Sequence, residues 1–313
     1  APLRLVATAP GVVLDAAGAA VGLYLSSVSG IVVDGVTVTG ATTQAVWIAS
    51  ASDVVLHAVT VRGNAGYGIV TKGATRVTVD GCTVTGNRLA GIYDRVGSTG
   101  TVISGCTVTG NGLDGQRYNG DGVELAGANA TVRGSTITGN GDGAGYEHGI
   151  YAAATATGYA IEGNEISGNA GADVKAMGTG TIRWNRLGSG LFGIVLSDNP
   201  APVEVSYNLV RGTFQHAVLV TTGTTPGQAR LWNDTIVQLG RSTASGDASA
   251  VFVVAAASLE LANDLVCYTN PDALGVALMV NDATRVGRLD ARADWYCSTD
   301  AAGRHLGWNG SRV

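Results

Sequence analysis

The stretch Val77-Thr78-Val79-Asp80-Gly81-Cys82-Thr83-Val84-Thr85-Gly86-Asn87 decides the fold. It contains two short runs in which apolar and polar residues alternate, joined at Gly81-Cys82 and closed by Gly86-Asn87. Alternation with a period of two is the signature of a strand. A Gly or Asn between two runs supplies the left-handed backbone that a sharp bend needs. The phrase occurs upstream at residues 32–40 and 54–64, and downstream in copies that end at Gly110-Asn111, Gly139-Asn140 and Gly168-Asn169. Weaker copies lie at residues 182–187, 205–210 and 261–266. Such short runs cannot form a free-standing hairpin sheet, but they fit the rungs of a solenoid. The series Asn64, Asn87, Asn111, Asn140 and Asn169 predicts a stacked ladder in which each side-chain amide bonds the next rung.

A second phrase alternates with the first: Gly22-Leu23-Tyr24, Val46-Trp47, Gly68-Ile69-Val70, Gly91-Ile92-Tyr93, Gly122-Val123-Glu124, Gly149-Ile150-Tyr151, Asp173-Val174-Lys175 and Gly193-Ile194-Val195. Its last residue recurs every 23 residues from Tyr24 to Tyr93, and then at intervals of 31, 27 and 24 residues up to Lys175. Three short strands per period of this length describe one coil of a parallel β-helix, whereas a propeller blade needs about 40 residues or more. The expected fold is all-β, a single parallel β-helix domain over residues 1–313, with about 10–12 coils. Residues 1–20 read as a cap or first coil, and residues 225–313 as the last coils and a cap, because an open solenoid end must be covered.

Composition narrows the function classes. The chain is 45% hydrophobic and 14% charged, with 47 glycines and a net charge of −5. Disorder would require less apolar content and more charge. Helices would require fewer glycines and β-branched residues. The absence of a basic stripe argues against nucleic acid as a partner. No apolar run reaches the roughly 18 residues of a membrane span. The chain begins Ala1-Pro2 without an initiator Met; a removed secretory leader is one reading, and a chain that simply starts here is the other. Cys82 and Cys106 occupy the same place in consecutive repeats and read as buried small apolar residues. Cys267 and Cys297 could pair if their rungs are neighbours.

Ile69, Ile92, Val123, Ile150, Val174 and Ile194 form a uniformly aliphatic column, which assigns them to the core. Alternation then turns both flanking columns outward. The preceding one (Gly68, Gly91, Gly122, Gly149, Asp173) reads as a cleft floor without side chains. The following one (Tyr24, Trp47, Val70, Tyr93, Glu124, Tyr151, Lys175) is aromatic and ionisable. Exposed rings can stack on sugar faces or on each other along the sheet. Chemistry is expected where this column turns from aromatic to charged, at Glu124, Tyr151 and Lys175, flanked by Asp121, His148 and Asp173 and by Asp94 and Arg95. The two long repeats put Arg117, Tyr118 and Tyr146, with Asp142 and Glu147, in loops beside the same place. The chain has only two lysines, Lys72 and Lys175, against seventeen arginines. A Lys held in this column can serve as a base, which Arg cannot; the alternative is a solvated Lys paired with Asp173 or Glu124. His148 reads either as a catalytic group or as a structural residue at a strand edge.

The Thr-Val-Thr-Gly-Asn, Gly-Ile-Tyr and Glu-Gly-Asn repeats, over roughly residues 10–270, resemble the right-handed parallel β-helix superfamily of polysaccharide-active enzymes. That group includes pectate and alginate lyases, mannuronan C5-epimerases and polygalacturonases. The resemblance implies a right-handed coil and a secreted enzyme acting on a uronate polysaccharide. Its first reading is a lyase working by β-elimination, with Lys175 or His148 as base, Tyr151 as acid and Arg95 or Lys72 neutralising the substrate carboxylate. Glu124 and Asp121 complete the catalytic set. Tyr24, Trp47, Tyr93, Arg95, Lys72, Asp173, Arg117, Tyr118 and Tyr146 would bind the polysaccharide. The alternatives are a C5-epimerase, an inverting hydrolase pairing Asp121 or Glu124 with Asp142 or Asp173, and a non-catalytic glycan-binding protein of cell-surface or phage type. The epimerase Asp-Pro-His signature is missing. No cofactor is expected, although a Ca²⁺ held by Asp121, Glu124 and Asp173 would use the right hard oxygens.

Overall fold

The computed structural model describes residues 3–112, 120–143, 147–213, 215–239, 249–254, 257–269, 276–281, 288–298, 306–308 and 311–312. Its strands form three sheets of twelve, twelve and thirteen strands, and the chain visits them in turn. Leu3–Val6 opens the first sheet, Val13–Asp15 the second and Val21–Ser26 the third, and each coil repeats the order. Among the described strands pairing is parallel, except between Leu306–Trp308 and Ser311–Arg312 at the end of the third sheet. The deciding stretch contributes Thr78–Asp80 to the first sheet and Thr83–Thr85 to the second.

The stack stays in register because each rung places an aliphatic side chain over the last. Val79 pairs with Leu56 and Ile103, and Val84 with Val61 and Val108. The Ile69, Ile92, Val123, Ile150, Val174 and Ile194 column is in register and fully buried, as expected. A one-residue slip would turn every one of these side chains to the other face.

The corner before the third sheet holds the expected amide ladder. Asn64 Nδ2 donates to Asn87 Oδ1 at 2.8 Å, Asn87 to Asn111 at 2.8 Å, Asn111 to Asn140 at 3.0 Å and Asn140 to Asn169 at 3.0 Å. These amides also satisfy backbone carbonyls, such as Val84 O and Val108 O, that would otherwise be left bare at the bend. A second column runs through the bend between the first and second sheets. It reads Val36, Val59, Cys82, Cys106, Ser135, Asn164, Asn185, Asn208, Asp234 and Asp264, and so shifts from apolar through amide to carboxyl along the axis. Cys82 and Cys106 are free and buried in it, as expected. Cys267 and Cys297 pair in register on successive rungs of the second sheet, with Cα atoms 4.5 Å apart, and are joined as a disulfide.

The glycine column corrects the expected cleft floor. A Cβ on Gly91 would lie 2.8 Å from Asn111 Nδ2 and 2.9 Å from Val108 Cγ1, both inside the coil. Gly122 faces Asn140 and Ile137 in the same way, and Gly149 faces Asn169 and Ile166. Strand alternation breaks at this corner: the glycine and the aliphatic residue after it both turn inward, and the missing side chain is the space the amide ladder occupies. Gly149→Ala should therefore cost about 3 kcal/mol through overpacking and loss of ladder bonds. A urea midpoint that hardly moves would contradict that packing.

Candidate functional site

The outer column of the third sheet is continuous in the structure. Tyr24 pairs with Trp47, Trp47 with Val70, Val70 with Tyr93, Tyr93 with Glu124, Glu124 with Tyr151 and Tyr151 with Lys175. Glu124, Tyr151 and Lys175 thus stand on three consecutive rungs, about 4.8 Å apart. The Tyr24 and Trp47 rings lie 5.3 Å apart, with Tyr24 56% exposed. Val70 is buried and interrupts the aromatic row. Tyr67, not anticipated from the sequence, places its ring 5.7 Å from that of Tyr93.

Burial dominates the electrostatics. It pushes the Glu124 carboxyl up to about 7, against the opposing pull of a Tyr93 hydrogen bond and the Arg95 charge. Burial, followed by the Glu124 charge, raises the Tyr93 phenol. Tyr151 is raised by burial and then by Asp121 and Glu124, so its phenol keeps its proton. Its hydroxyl reaches Met177 Sδ at 3.3 Å, and Lys175 Nζ lies 5.8 Å from its ring centroid. Arg95 sits over the Tyr93 ring at 5.0 Å. Lys72 is exposed at the end of the strand Tyr67–Lys72, one coil before Arg95. Among the described residues Lys175 makes no ion pair, so the expected alternative of a Lys neutralised by Asp173 or Glu124 is not what the structure contains.

Asp121 and His148 belong to one further column, which runs from Val21 and Gln44 through Tyr67 and Ala90. Asp121 is buried, its Oδ1 accepts the His148 backbone N–H at 2.6 Å, and burial raises its carboxyl well above the usual range. His148 Nδ1 accepts the Ala172 N–H at 2.9 Å. Burial and then the Lys175 charge depress the imidazole to about 3. With Nδ1 occupied and the ring neutral, Nε2 carries the hydrogen and can only donate. This corrects the expectation of His148 as a base.

Asp173 and Asp94 are corrected as well. Asp173 falls in the inward glycine column, fully buried, with Oδ1 accepting Asn169 Nδ2 at 3.2 Å. It ends the amide ladder and does not face a polysaccharide, so the carboxylate set read for Ca²⁺ does not converge. No cluster suited to a metal occurs among the described residues. Asp94 also points inward, bonded by the Thr71 and Thr101 hydroxyls at 2.6 Å each. Arg117, Tyr118 and Tyr146 lie outside the described residues. Beyond Tyr151, Met177 and Asp198 line a groove of about 420 Å³ with Asn199, Thr225 and Gln228, which the sequence reading did not single out.

The site therefore offers a neutral histidine donor, a carboxyl that titrates near neutrality, two protonated phenols, two cations on adjacent coils and one unpaired amine. That set can hold an anion and move a proton.

The fold is shared with solved structures of low identity. The tailspike protein of E. coli bacteriophage HK620, in complex with a pentasaccharide, aligns with 98% of this chain at a TM-score of 0.62 and 9% identity. This chain spans 59% of that tailspike chain. The periplasmic alginate epimerase AlgG aligns with 94% of this chain, covering 76% of its own, at a TM-score of 0.61 and 13% identity. The Yersinia enterocolitica family 28 exopolygalacturonase aligns with 99%, covering 73% of its own, at 0.55 and 12%. A search against curated proteins finds no match. The family model described as "Right handed beta helix region" matches residues 21–119 and 95–236, most of the chain, and the protein belongs to the right-handed β-helix family.

Proposed function

We propose that this β-helix cleaves a uronate-bearing polysaccharide by β-elimination on the outer face of its third sheet. The observation that carries the reading is the register of Tyr151 with Lys175, an acid and a base on adjacent rungs of one column. Lys175 Nζ, in its neutral form, takes the C5 proton. The C4–O4 bond breaks as the C4=C5 double bond forms, and the Tyr151 hydroxyl protonates the departing oxygen. Proton exchange between the resulting ammonium and phenolate resets the pair. Both groups approach the sugar from one side, which suits elimination; an epimerase needs its acid on the opposite ring face. Arg95 and the protonated Glu124 carboxyl hold the substrate carboxylate and so acidify C5, while His148 Nε2–H donates to the sugar. Tyr24 and Trp47 extend the platform for the chain. The Cys267–Cys297 disulfide supports a location outside the reducing cytoplasm.

The test is incubation with a panel of uronans, watching for the ultraviolet absorbance of an unsaturated uronate. Reducing ends without that absorbance would instead favour a hydrolase, a second reading supported by the two raised carboxyls of Asp121 and Glu124. The elimination reading also fixes a pH dependence. Glu124 titrates near 7 and must hold its proton, so above that point kcat/KM of the wild type should fall about tenfold per pH unit relative to that of Glu124→Gln, whatever rise the Lys175 base gives both proteins. Glu124→Gln keeps a donor at every pH and should escape this relative loss. An unchanged alkaline limb in the variant would remove Glu124 from the role.

A further inference from the structure

The bend between the first and second sheets lies at the corner opposite the third sheet. In every interior coil one residue there takes the left-handed backbone conformation. Four consecutive coils use glycine, at Gly81, Gly105, Gly134 and Gly163, with φ between 56° and 61°. The next two coils put Trp184 and Tyr207 in the same position, each at φ 57°. A bulky side chain in this region is strained and serves no turn that glycine does not make better. Neither ring is used in the core: Trp184 is 53% exposed and Tyr207 51%. Trp232, 46% exposed at the end of the following strand, continues the row. Ring centroids are 6.2 Å apart in the stacked Trp184–Tyr207 pair and 6.4 Å apart in the tilted Tyr207–Trp232 pair, and about half of each residue's surface still faces solvent. Each ring therefore keeps free surface. Arg183, bonded to Glu162, braces the Trp184 ring at 4.4 Å. A groove of about 240 Å³ beside Trp232 is lined by Arg230, Glu204 and Glu260.

We infer that this corner is a second binding site, for a neutral polysaccharide chain lying along the solenoid axis, with successive pyranose faces on Trp184, Tyr207 and Trp232. Rigid aromatic rings give large contact area at low entropic cost, and the flanking charged pairs offer hydrogen bonds to hydroxyls. Three carboxylates (Glu162, Glu204, Glu260) stand against two guanidiniums (Arg183, Arg230), and both guanidiniums are already bonded to them. The two guanidiniums that flank the rings are thus already paired, which favours a neutral chain there, while Arg186, exposed just past the bend, and Arg133, beside Glu162, form no ion pair among the described residues. A second copy of the chain is a poor occupant. Three half-exposed rings offer roughly 225–375 Å², less than half of the ~800 Å² that each partner buries in a stable dimer. Leu265 and Trp295 are exposed further along, but Asn233 and Asn263 at the bend positions break the row. The site stands independently of the elimination reading.

The test uses the intact protein and its tryptophan fluorescence, titrated with neutral gluco- and manno-hexasaccharides and with hexagalacturonate. At least one neutral hexasaccharide should bind, and Lys175→Ala should bind it equally. The double variant Trp184→Gly/Tyr207→Gly restores the residue that neighbouring coils use, so its thermal midpoint should hold or rise while affinity for the neutral sugar drops at least tenfold. Trp232→Ala should weaken binding in the same direction. The proposal is overturned if no neutral hexasaccharide binds, if the double variant binds undiminished, or if hexagalacturonate is preferred at this corner. It is also overturned if sedimentation reveals a dimer that the double variant dissociates, since the corner would then be an interface between copies.

Discussion

Lys175→Arg should be as inactive as Lys175→Ala, each losing on the order of a thousandfold in kcat, within the range that general-base removal costs. The arginine variant carries the weight of this prediction. If Lys175 served only to hold a substrate carboxylate, a guanidinium in the same column would do so at least as well, because its fork matches a carboxylate. If Lys175 takes a proton, arginine fails, because it does not deprotonate at working pH. The surroundings favour the second outcome. Lys175 forms no ion pair among the described residues, and Arg95, with protonated Glu124, is already available for the anion. Tyr151→Phe should lose a comparable factor while leaving substrate binding nearly intact, since the ring that faces Lys175 and His148 remains. The measurement is single-turnover formation of the unsaturated product alongside substrate affinity. A Lys175→Arg enzyme that keeps a tenth or more of wild-type kcat would sink the base assignment.

What the sequence made legible, and what it hid, divides along physical lines. Strand identity and register were readable because period-two alternation and an aliphatic column leave one way to bury the core. The Asn64–Asn169 ladder was readable because one residue type recurs at one interval, and its bonds run rung to rung as that recurrence implies. The outer column from Tyr24 to Lys175 follows from the same register. Alternation failed at the corner, where Gly91 and Ile92 both turn inward, and that misdirected Asp173 to the surface. His148 was misjudged for another reason: the group that occupies its Nδ1 is a backbone N–H 24 residues downstream, invisible to any local pattern. Tyr67 could have been found, since it precedes Gly68 as Asp121 precedes Gly122 and His148 precedes Gly149. The second ladder was equally within reach, through Asn185, Asn208 and Asp264 in the weaker repeats.

Asp234→Asn should stabilise the protein by about 2–4 kcal/mol at pH 8 and by far less at pH 4. Asp234 continues the column that Asn164, Asn185 and Asn208 fill in preceding coils. Its Oδ1 does the column's accepting work, taking Asn208 N at 2.7 Å and Asn208 Nδ2 at 3.0 Å. Its Oδ2 is buried without a hydrogen-bond partner among the described residues, at the place where the amide column has a donor. Asn164, Asn185 and Asn208 each send Nδ2 to a carbonyl of the first sheet, Val132 O, Ile161 O and Ile182 O, at 2.9 Å. Val205 pairs in register with Ile182, so the new amide of Asp234→Asn would meet Val205 O in the same way. It would also donate toward Asp264, the next acid in the stack. Burial pushes the Asp234 carboxyl up to about 7 from an ordinary 3.8, and Asp264 is likewise raised to about 7. The sign follows from the direction of the shift. Between about 4 and 7 the folded state holds a proton that the unfolded chain has released, so stability falls as pH rises through that window. At 1.36 kcal/mol per pKa unit, a shift from 3.8 to about 7 bounds the cost near 4 kcal/mol. Relaxation around the ion lowers that bound toward the smaller figure. Below pH 4 the protonated carboxyl already resembles the amide, and the substitution has little left to relieve. Urea midpoints of both proteins at the two pH values decide the matter. Equal shifts at pH 4 and pH 8 would mean that amide geometry alone, and not a buried charge, governs this rung.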